Sequence, residues 1–327
     1  MNYNNKYRAV IIGAGNIGAF YDTPHSSEIL THAHAYTQSK KIKLEACYDT
    51  DRTKARKVAA VWGIKYCDDL RAMMREIRPE IVSVCTPDET HAEVLDMIYR
   101  HKPKVVICEK PMTLNYKESV AIKARYRKAG ILLVVNYSRR FDSSVKKLRA
   151  DILRGLYGKI QSASGIYTKG VKHNGSHMLN QALYLFGNFR KAEILDSFSD
   201  YKSSDPTVSA FLSFDCCPRF FLSGANEANF TIFEMDILFE KGRVRILNGG
   251  LFFDVARSIK DPHFAGYTIL GNSKRERTLN KSFSNLLNNV TDYLDGKKGV
   301  KKDLDRDLDD ALETDRVTDM LSQNVLS

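Results

Sequence analysis

The residue in this chain best suited to chemistry is Lys110. It stands in Glu109-Lys110-Pro111, directly after the apolar run Val105-Val106-Ile107-Cys108. Such a run fits a strand buried on both faces, and in open parallel sheets ligands bind just beyond the carboxyl ends of the strands. A lysine placed there can donate a hydrogen bond to a reacting oxygen and stabilise its developing charge. A second group is Gly13-Ala14-Gly15-Asn16-Ile17-Gly18, with the spacing G-x-G-x-x-G. The first glycine permits a tight turn, the second lets a pyrophosphate approach the backbone, and the third lets strand and helix pack closely. The phosphate would then rest on the N–H groups of the following helix. A third is His173-Asn174-Gly175-Ser176-His177, just ahead of Leu179, Ala182, Leu183 and Phe186 at helical spacing. His177 and Asn180 are three apart and can share one helix face. Ser176 is placed to cap that helix.

The elements that must position these residues form an alternating series. Strands are expected at 8–12, 44–48, 81–85, 105–108 and 132–136, with helices at 53–61, 69–76, 91–100 and 115–129 between them. This alternation predicts a doubly wound parallel sheet. Asp49, at the end of the second strand, can accept both ribose hydroxyls of an adenosine and so favours NAD. It lies 49 − 18 = 31 residues beyond the third glycine, against a usual spacing of about 20. A loop over 21–31 accounts for the excess. Arg52 is close enough to receive a 2′-phosphate instead, which keeps NADP open.

After a linking helix at 143–154 the pattern changes. Strands at 159–168, 192–199, 208–214, 220–223, 235–239 and 244–247 predict an α+β region with a mostly antiparallel sheet. Residues 240–243 read as a hairpin turn. Two more helices are expected at 282–294 and 308–321. The domain reading is 1–137 for dinucleotide binding, 138–302 for substrate and oligomer contacts, and 303–327 as a terminal helix returning to the first domain.

In order along the chain, the glycine turn, Asp49, Thr86-Pro87-x-x-x-His91, Glu109-Lys110-Pro111 and Asn136-x-x-x-Arg140-Phe141 resemble the Gfo/Idh/MocA family, named for glucose–fructose oxidoreductase and inositol dehydrogenase. The resemblance implies a Rossmann domain, a nicotinamide cofactor, hydride transfer at a sugar or polyol carbon and a cis Lys110–Pro111 peptide. It places Gly13, Gly15, Asn16, Ile17, Asp49, Arg52, Thr86, Pro87, His91, Glu109, Lys110 and Asn136 at the cofactor. Lys110, Arg140, His173, His177 and Asn180 fall to the substrate. It also implies an open sheet used for a homodimer or homotetramer. The family's D-x-G-x-H-x-x-D is replaced here by His173-x-Gly175-x-His177-x-x-Asn180. Both acids are gone, and Asn180 can hydrogen-bond substrate but cannot carry a proton or a negative charge. His177 is expected as the base, with His173 touching substrate or acting as a second relay.

Composition narrows the partners. With 43% hydrophobic and 27% charged residues the chain fits an ordinary globule. It contains no apolar run long enough for a membrane span. The polar start, residues 1–5, does not read as a signal peptide. Six cysteines without C-x-x-C suit reduced thiols and a cytoplasmic protein. The net charge of +11 favours an anionic sugar, phosphorylated or nucleotide-linked, over nucleic acid, for which no motif is present. No metal is expected, because His32 and His34 stand two apart, the wrong spacing for one helix face. His34 is the one expected near the dinucleotide. The competing readings are a nicotinamide-binding regulator without chemistry and an NAD-dependent glycosidase.

Overall fold

The structure, a computed structural model, describes residues 6–279 and 281–323. The polar start read at 1–5 lies outside the described residues. The chain divides into two compact units. One comprises the residues through Ser138 together with Lys281–Glu313, and the other runs from Arg139 and resumes at Thr314.

The first unit begins with β1 (Tyr7–Ile12) and continues through α1 (His32–Gln38), β2 (Ile42–Tyr48), α2 (Arg52–Trp62), β3 (Lys65–Cys67) and α3 (Leu70–Ile77). It proceeds through β4 (Ile81–Val84), α4 (His91–Tyr99), β5 (Val105–Cys108), α5 (Tyr116–Lys128) and β6 (Leu132–Val135). The six strands form one sheet in the order β3-β2-β1-β4-β5-β6, every pair parallel. Every residue of β4, β5 and β6 is buried, as continuous apolar strands covered on both faces require. Helices α2, α3 and α5 start where short polar side chains meet free backbone N–H groups. Asp51 accepts from Thr53 and Lys54, Asp69 from Ala72, and Asn115 from Lys117 and Glu118. The parallel Rossmann-type sheet is the one the alternating pattern predicts.

Two details differ from the sequence expectation. The glycine turn does not open a regular helix: Asn16–Phe20 makes a single π-helical turn and the chain then runs as a loop to Thr31. That loop is pinned by Asp22, which accepts from Leu30 N (2.6 Å), Thr31 N (3.2 Å) and Thr31 Oγ1 (2.5 Å). The seven-residue α1 and the short β3 were not expected. Both are too brief to establish a period in the sequence.

The second unit contains α6 (Ser143–Leu153), β7 (Ile160–Tyr167), α7 (Ser176–Phe186), β8 (Phe189–Lys202), β9 (Asp205–Phe214) and β10 (Phe220–Gly224). It continues with β11 (Phe233–Phe239), β12 (Gly242–Leu247), β13 (Phe252–Lys260), β14 (Thr268–Leu270) and β15 (Lys274–Arg277). The sheet order is β14-β13-β12-β11-β7-β10-β9-β8, with β15 also pairing β13. Only β7 and β10 run parallel among the described pairs. One face of α7 packs on this sheet through Met178, Leu179, Ala182 and Phe186, within a core that includes Tyr167, Phe214 and Phe220.

The chain closes with α8 (Ser282–Leu294) and α9 (Val300–Gln323). Here the expected boundaries need correcting. Residues 281–302 group with the first unit, not the second, and α9 is shared. Leu308, Ala311 and Leu312 join the core of the first unit, whereas Val317 and Leu321 join that of the second. This helix of 24 residues contributes apolar side chains to two cores, which a single unbroken period conceals.

Candidate active site

The residues singled out in the first unit gather at the carboxyl ends of neighbouring strands. Gly13 adopts φ +98°, and a Cβ there would lie 2.4 Å from the Cys85 carbonyl carbon at the end of β4. At Gly18 a Cβ would lie 2.4 Å from Gly13 O, so both positions demand glycine. A Cβ on Gly15 would meet nothing nearer than 4.0 Å, which leaves its backbone approachable. Trp62 Nε1 donates to Ala19 O at 3.1 Å and braces the π-helical turn. Asp49 is oriented by the same loop: its carboxylate accepts from Ala14 N at 2.7 Å and from Asp51 N at 2.8 Å. Arg52 is exposed and paired with Asp68 at 3.2 Å.

Around β5 the side chains interlock. The Lys110–Pro111 peptide is cis. His91 is fully buried, with Nδ1 2.8 Å from Pro111 O and Nε2 2.9 Å from Thr86 O. Its ring therefore ties the Thr86-Pro87 turn to the Lys110-Pro111 turn, and both of its nitrogens face protein carbonyls where a cofactor contact was expected. Glu109 Oε1 accepts from Asn136 Nδ2 at 2.7 Å and lies 2.8 Å from His32 Nε2. Burial works to raise the Glu109 pKa. The hydrogen bond and electrostatic attraction of His32, then the hydrogen bond from Asn136 and the charge of Lys110, outweigh it and hold the group below the ordinary carboxyl value.

His32 was not among the expected site residues. The sequence reading favoured His34, which instead lies 2.8 Å from Asp22 Oδ2 and fixes the 21–31 loop. The signal was present in His32 and Tyr36, four apart on one face of α1.

In the second unit the histidines sit at the start of α7. Residues 170–175 form a π-helical turn that runs straight into the helix. Asp205 holds this turn by its backbone, accepting from Lys172 N at 2.8 Å and His173 N at 2.9 Å. Gly170 N donates to Thr207 Oγ1 at 2.8 Å, and that hydroxyl in turn donates to Asp200 at 2.6 Å. The His173 ring lies 4.9 Å from the ring of Tyr201. His177 meets the edge of Phe233 at 6.4 Å, and the guanidinium of Arg139 covers Phe233 at 4.2 Å. Arg139 also donates through Nε and Nη2 to Gly249 O, at 3.1 and 2.8 Å. Arg140 is buried against Tyr184.

Two expectations in this unit change. Ser176 does not cap α7: no side-chain cap is formed, and its hydroxyl donates to His173 O at 3.3 Å. Asn180 is 2% exposed and its amide donates to Thr314 Oγ1 at 3.0 Å, so it is turned into the core. Asp205 and Phe233, which reach the histidines, and Arg139, which covers Phe233, escaped the sequence reading because they lie on strands and a turn far away in the chain.

The first unit fits a dinucleotide. The glycine turn leaves Gly15 open, and Asn136 Oδ1 is a buried acceptor with no hydrogen-bond partner among the described residues. Such an atom calls for a donor such as an amide N–H.

Comparison with known proteins agrees with this geometry. Residues 7–137 match the model of the Gfo/Idh/MocA group, described as an oxidoreductase family with an NAD-binding Rossmann fold. The chain is 26% identical over 200 residues to D-glucoside 3-dehydrogenase of Escherichia coli K12, covering 55% of this chain and 54% of that protein. It is 27% identical over 205 residues to the NAD-dependent scyllo-inositol 2-dehydrogenase of Bacillus subtilis 168, covering 56% and 55%. These matches span about half the length of the curated relatives. In fold, a putative NADPH-dependent oxidoreductase of Desulfitobacterium hafniense superposes with a TM-score of 0.78 at 16% identity, covering 98% of this chain and 95% of that one.

Proposed function

We propose that the protein, whose residues 7–137 match the Gfo/Idh/MocA oxidoreductase family, is an NAD(P)-dependent oxidoreductase acting on a carbon of a sugar or polyol. The observation that carries this reading is the set of strand-end groups in the first unit. The glycine turn, Thr86-Pro87 and Glu109-Lys110-Pro111 are tied together by His91 and by Gly13 against Cys85. The relatives named for glucoside and scyllo-inositol support the substrate class.

When bound, a nicotinamide accepts or supplies the hydride. The chain's own groups do the rest. The open backbone at Gly15 receives the pyrophosphate, and Asn136 Oδ1 accepts from the carboxamide. Lys110 donates a hydrogen bond to the substrate oxygen and stabilises the charge that develops there. His177 takes the hydroxyl proton, with His173 as a further proton acceptor. The net charge of +11 supports a phosphorylated or nucleotide-linked sugar as substrate. The extended sheet of the second unit suits a homo-oligomer.

The test is direct. The nucleotide retained through purification is identified after denaturation. Inositols, free sugars, sugar phosphates and nucleotide sugars are then screened for a change in reduced-nicotinamide absorbance. A protein that binds neither NAD nor NADP overturns the proposal. A second reading, a cofactor-binding regulator, is favoured by one observation: Asn180 replaces an acid of the family motif and is engaged with Thr314. Tight cofactor binding without turnover of any compound in the screen would select it.

A further inference from the structure

A single chain of hydrogen bonds joins α1 to the ends of three strands. Tyr36 OH lies 2.6 Å from Ser83 Oγ on β4, and Ser83 Oγ lies 2.9 Å from His32 Nδ1. His32 Nε2 lies 2.8 Å from Glu109 Oε1 after β5, and Asn136 after β6 donates to the same oxygen. Tyr36 and Ser83 are fully buried and His32 is 1% exposed. The edge of the His32 ring is covered by Phe283 of α8, 5.1 Å between centroids. Among the described residues the chain therefore ends at Tyr36, which is shut off from solvent.

The direction of donation follows from counting protons. Burial pushes the Tyr36 phenol up, so it keeps its proton, and a buried O–H needs an acceptor. Ser83 Oγ is that acceptor. If Ser83 donated back to Tyr36, the phenol proton would point at nothing. Ser83 must then donate onward, to His32 Nδ1. A nitrogen that accepts carries no proton, so the ring proton is on Nε2, aimed at the ionised Glu109. Tyr36, Ser83 and His32 each donate once, in that order, and Glu109 accepts at the end.

We propose that this chain holds His32 as the neutral Nε2–H tautomer and makes it a positioning residue. His32 and Asn136 orient the Glu109 carboxylate, and Glu109 in turn sets the adjoining Lys110. The tautomer rests on the hydrogen-bond geometry together with the retained Tyr36 proton, whereas its consequence for turnover rests on the reading of Lys110 given above. The groups facing His32 from every packed element are Tyr36, Ser83, Glu109 and Phe283, with the Lys110 charge beyond Glu109.

The experiment has two arms. In histidine-¹⁵N-labelled full-length protein, long-range ¹⁵N–¹H spectra at neutral pH should show His32 with an unprotonated Nδ1 and a protonated Nε2. The signal is assigned by its loss in His32→Gln. A protonated Nδ1 overturns the proposal. In the second arm His32→Phe removes the donor while His32→Gln keeps an N–H within reach of Glu109. His32→Asn, too short to reach, replaces His32→Phe if that variant does not fold. The Glu109 carboxyl ¹³C signal should move in the donor-less variant and return towards wild type in His32→Gln. The value of kcat should fall about 10-fold or more in the former, the scale on which partners behind a functional group act, and recover in the latter, with cofactor Kd little altered in both. Equal behaviour of the two variants sinks the positioning role. Absence of all turnover with the two spectral results intact would instead sink the enzymatic reading and leave the tautomer established.

Discussion

Glu109 in the first unit and His173 in the second are both anchored, but through different atoms. Glu109 is gripped by its side chain: His32 and Asn136 converge on one carboxylate oxygen, and Tyr36 and Ser83 stand behind His32. His173 is held by its backbone, where Asp205 accepts its N–H and that of Lys172, and its ring lies 4.9 Å from that of Tyr201. Side-chain anchoring fixes an orientation and a protonation state. Backbone anchoring fixes a loop and does not by itself set the side chain. The first arrangement suits a group whose task does not vary, such as placing a hydrogen bond on a reacting oxygen. The second suits a group that must meet a substrate of particular shape. The family motif is intact in the first unit and altered in the second, which follows the same division.

Substitutions in the two regions should therefore differ in kind. Lys110→Ala removes the charge at the reacting oxygen and should lower kcat by about 10³-fold, the effect of losing one such donor. Cofactor affinity, read by quenching of intrinsic fluorescence, should stay near wild type. Survival of turnover would end the assignment of Lys110. His177→Ala should lower kcat by about 10²-fold, the lower range for a lost general base. His173→Ala should cost less, because its loop remains held by Asp205. If His173→Ala is the more damaging of the two, their roles are exchanged and the side chain at 173, not the loop, is what matters.

Stability should separate the regions as well. Asp205→Ala leaves the N–H groups of Lys172 and His173 without their acceptor beside a buried turn, at a cost of about 1–3 kcal/mol, measurable by urea denaturation. Glu109 adds a pH dependence. Its folded pKa lies below the unfolded value of about 4.3, so its contribution is complete above that pH and is lost as pH falls through the folded value. The stability difference between wild type and Glu109→Gln should accordingly be flat near neutrality and shrink on acidification. A difference that grows as pH falls would mean the carboxyl is neutral in the folded state.

How much of this was legible in the sequence depends on how far apart the cooperating residues lie. The strand-end lysine, the glycine turn and the parallel sheet were legible because each is a local pattern: an apolar run, a spacing, an alternation. Asp49 was found in spite of the 21–31 loop, because a strand with an acid at its end is recognisable on its own. His32 was passed over in favour of His34. Two histidines two apart look equivalent until α1 is known to turn one towards Glu109, 77 residues on, and the other towards Asp22. Asp205 and Phe233 carry no local pattern at all. The division of α9 was hidden for another reason: helical period reports which residues face a core, not which core.

Helix starts provide the finest test of the contrast. In the first unit Thr31, Asp51, Asp69 and Asn115 each accept a backbone N–H at the head of a helix. At α7 the preceding π-helical turn supplies the continuity, and Ser176 donates backwards to His173 O instead of accepting. Asp51→Ala should therefore cost about 1 kcal/mol, as the loss of a capping side chain does. Ser176→Ala should change stability by less than about 0.5 kcal/mol, since only a long donor contact of 3.3 Å is removed. Paired urea titrations under identical conditions read the two values. Equal losses would show that Ser176 does serve as a cap in solution. The start of α7 would then be secured in the same way as those of α1, α2, α3 and α5, and of α6 in its own unit, and the distinction between side-chain and backbone anchoring would have to be redrawn around His173 alone.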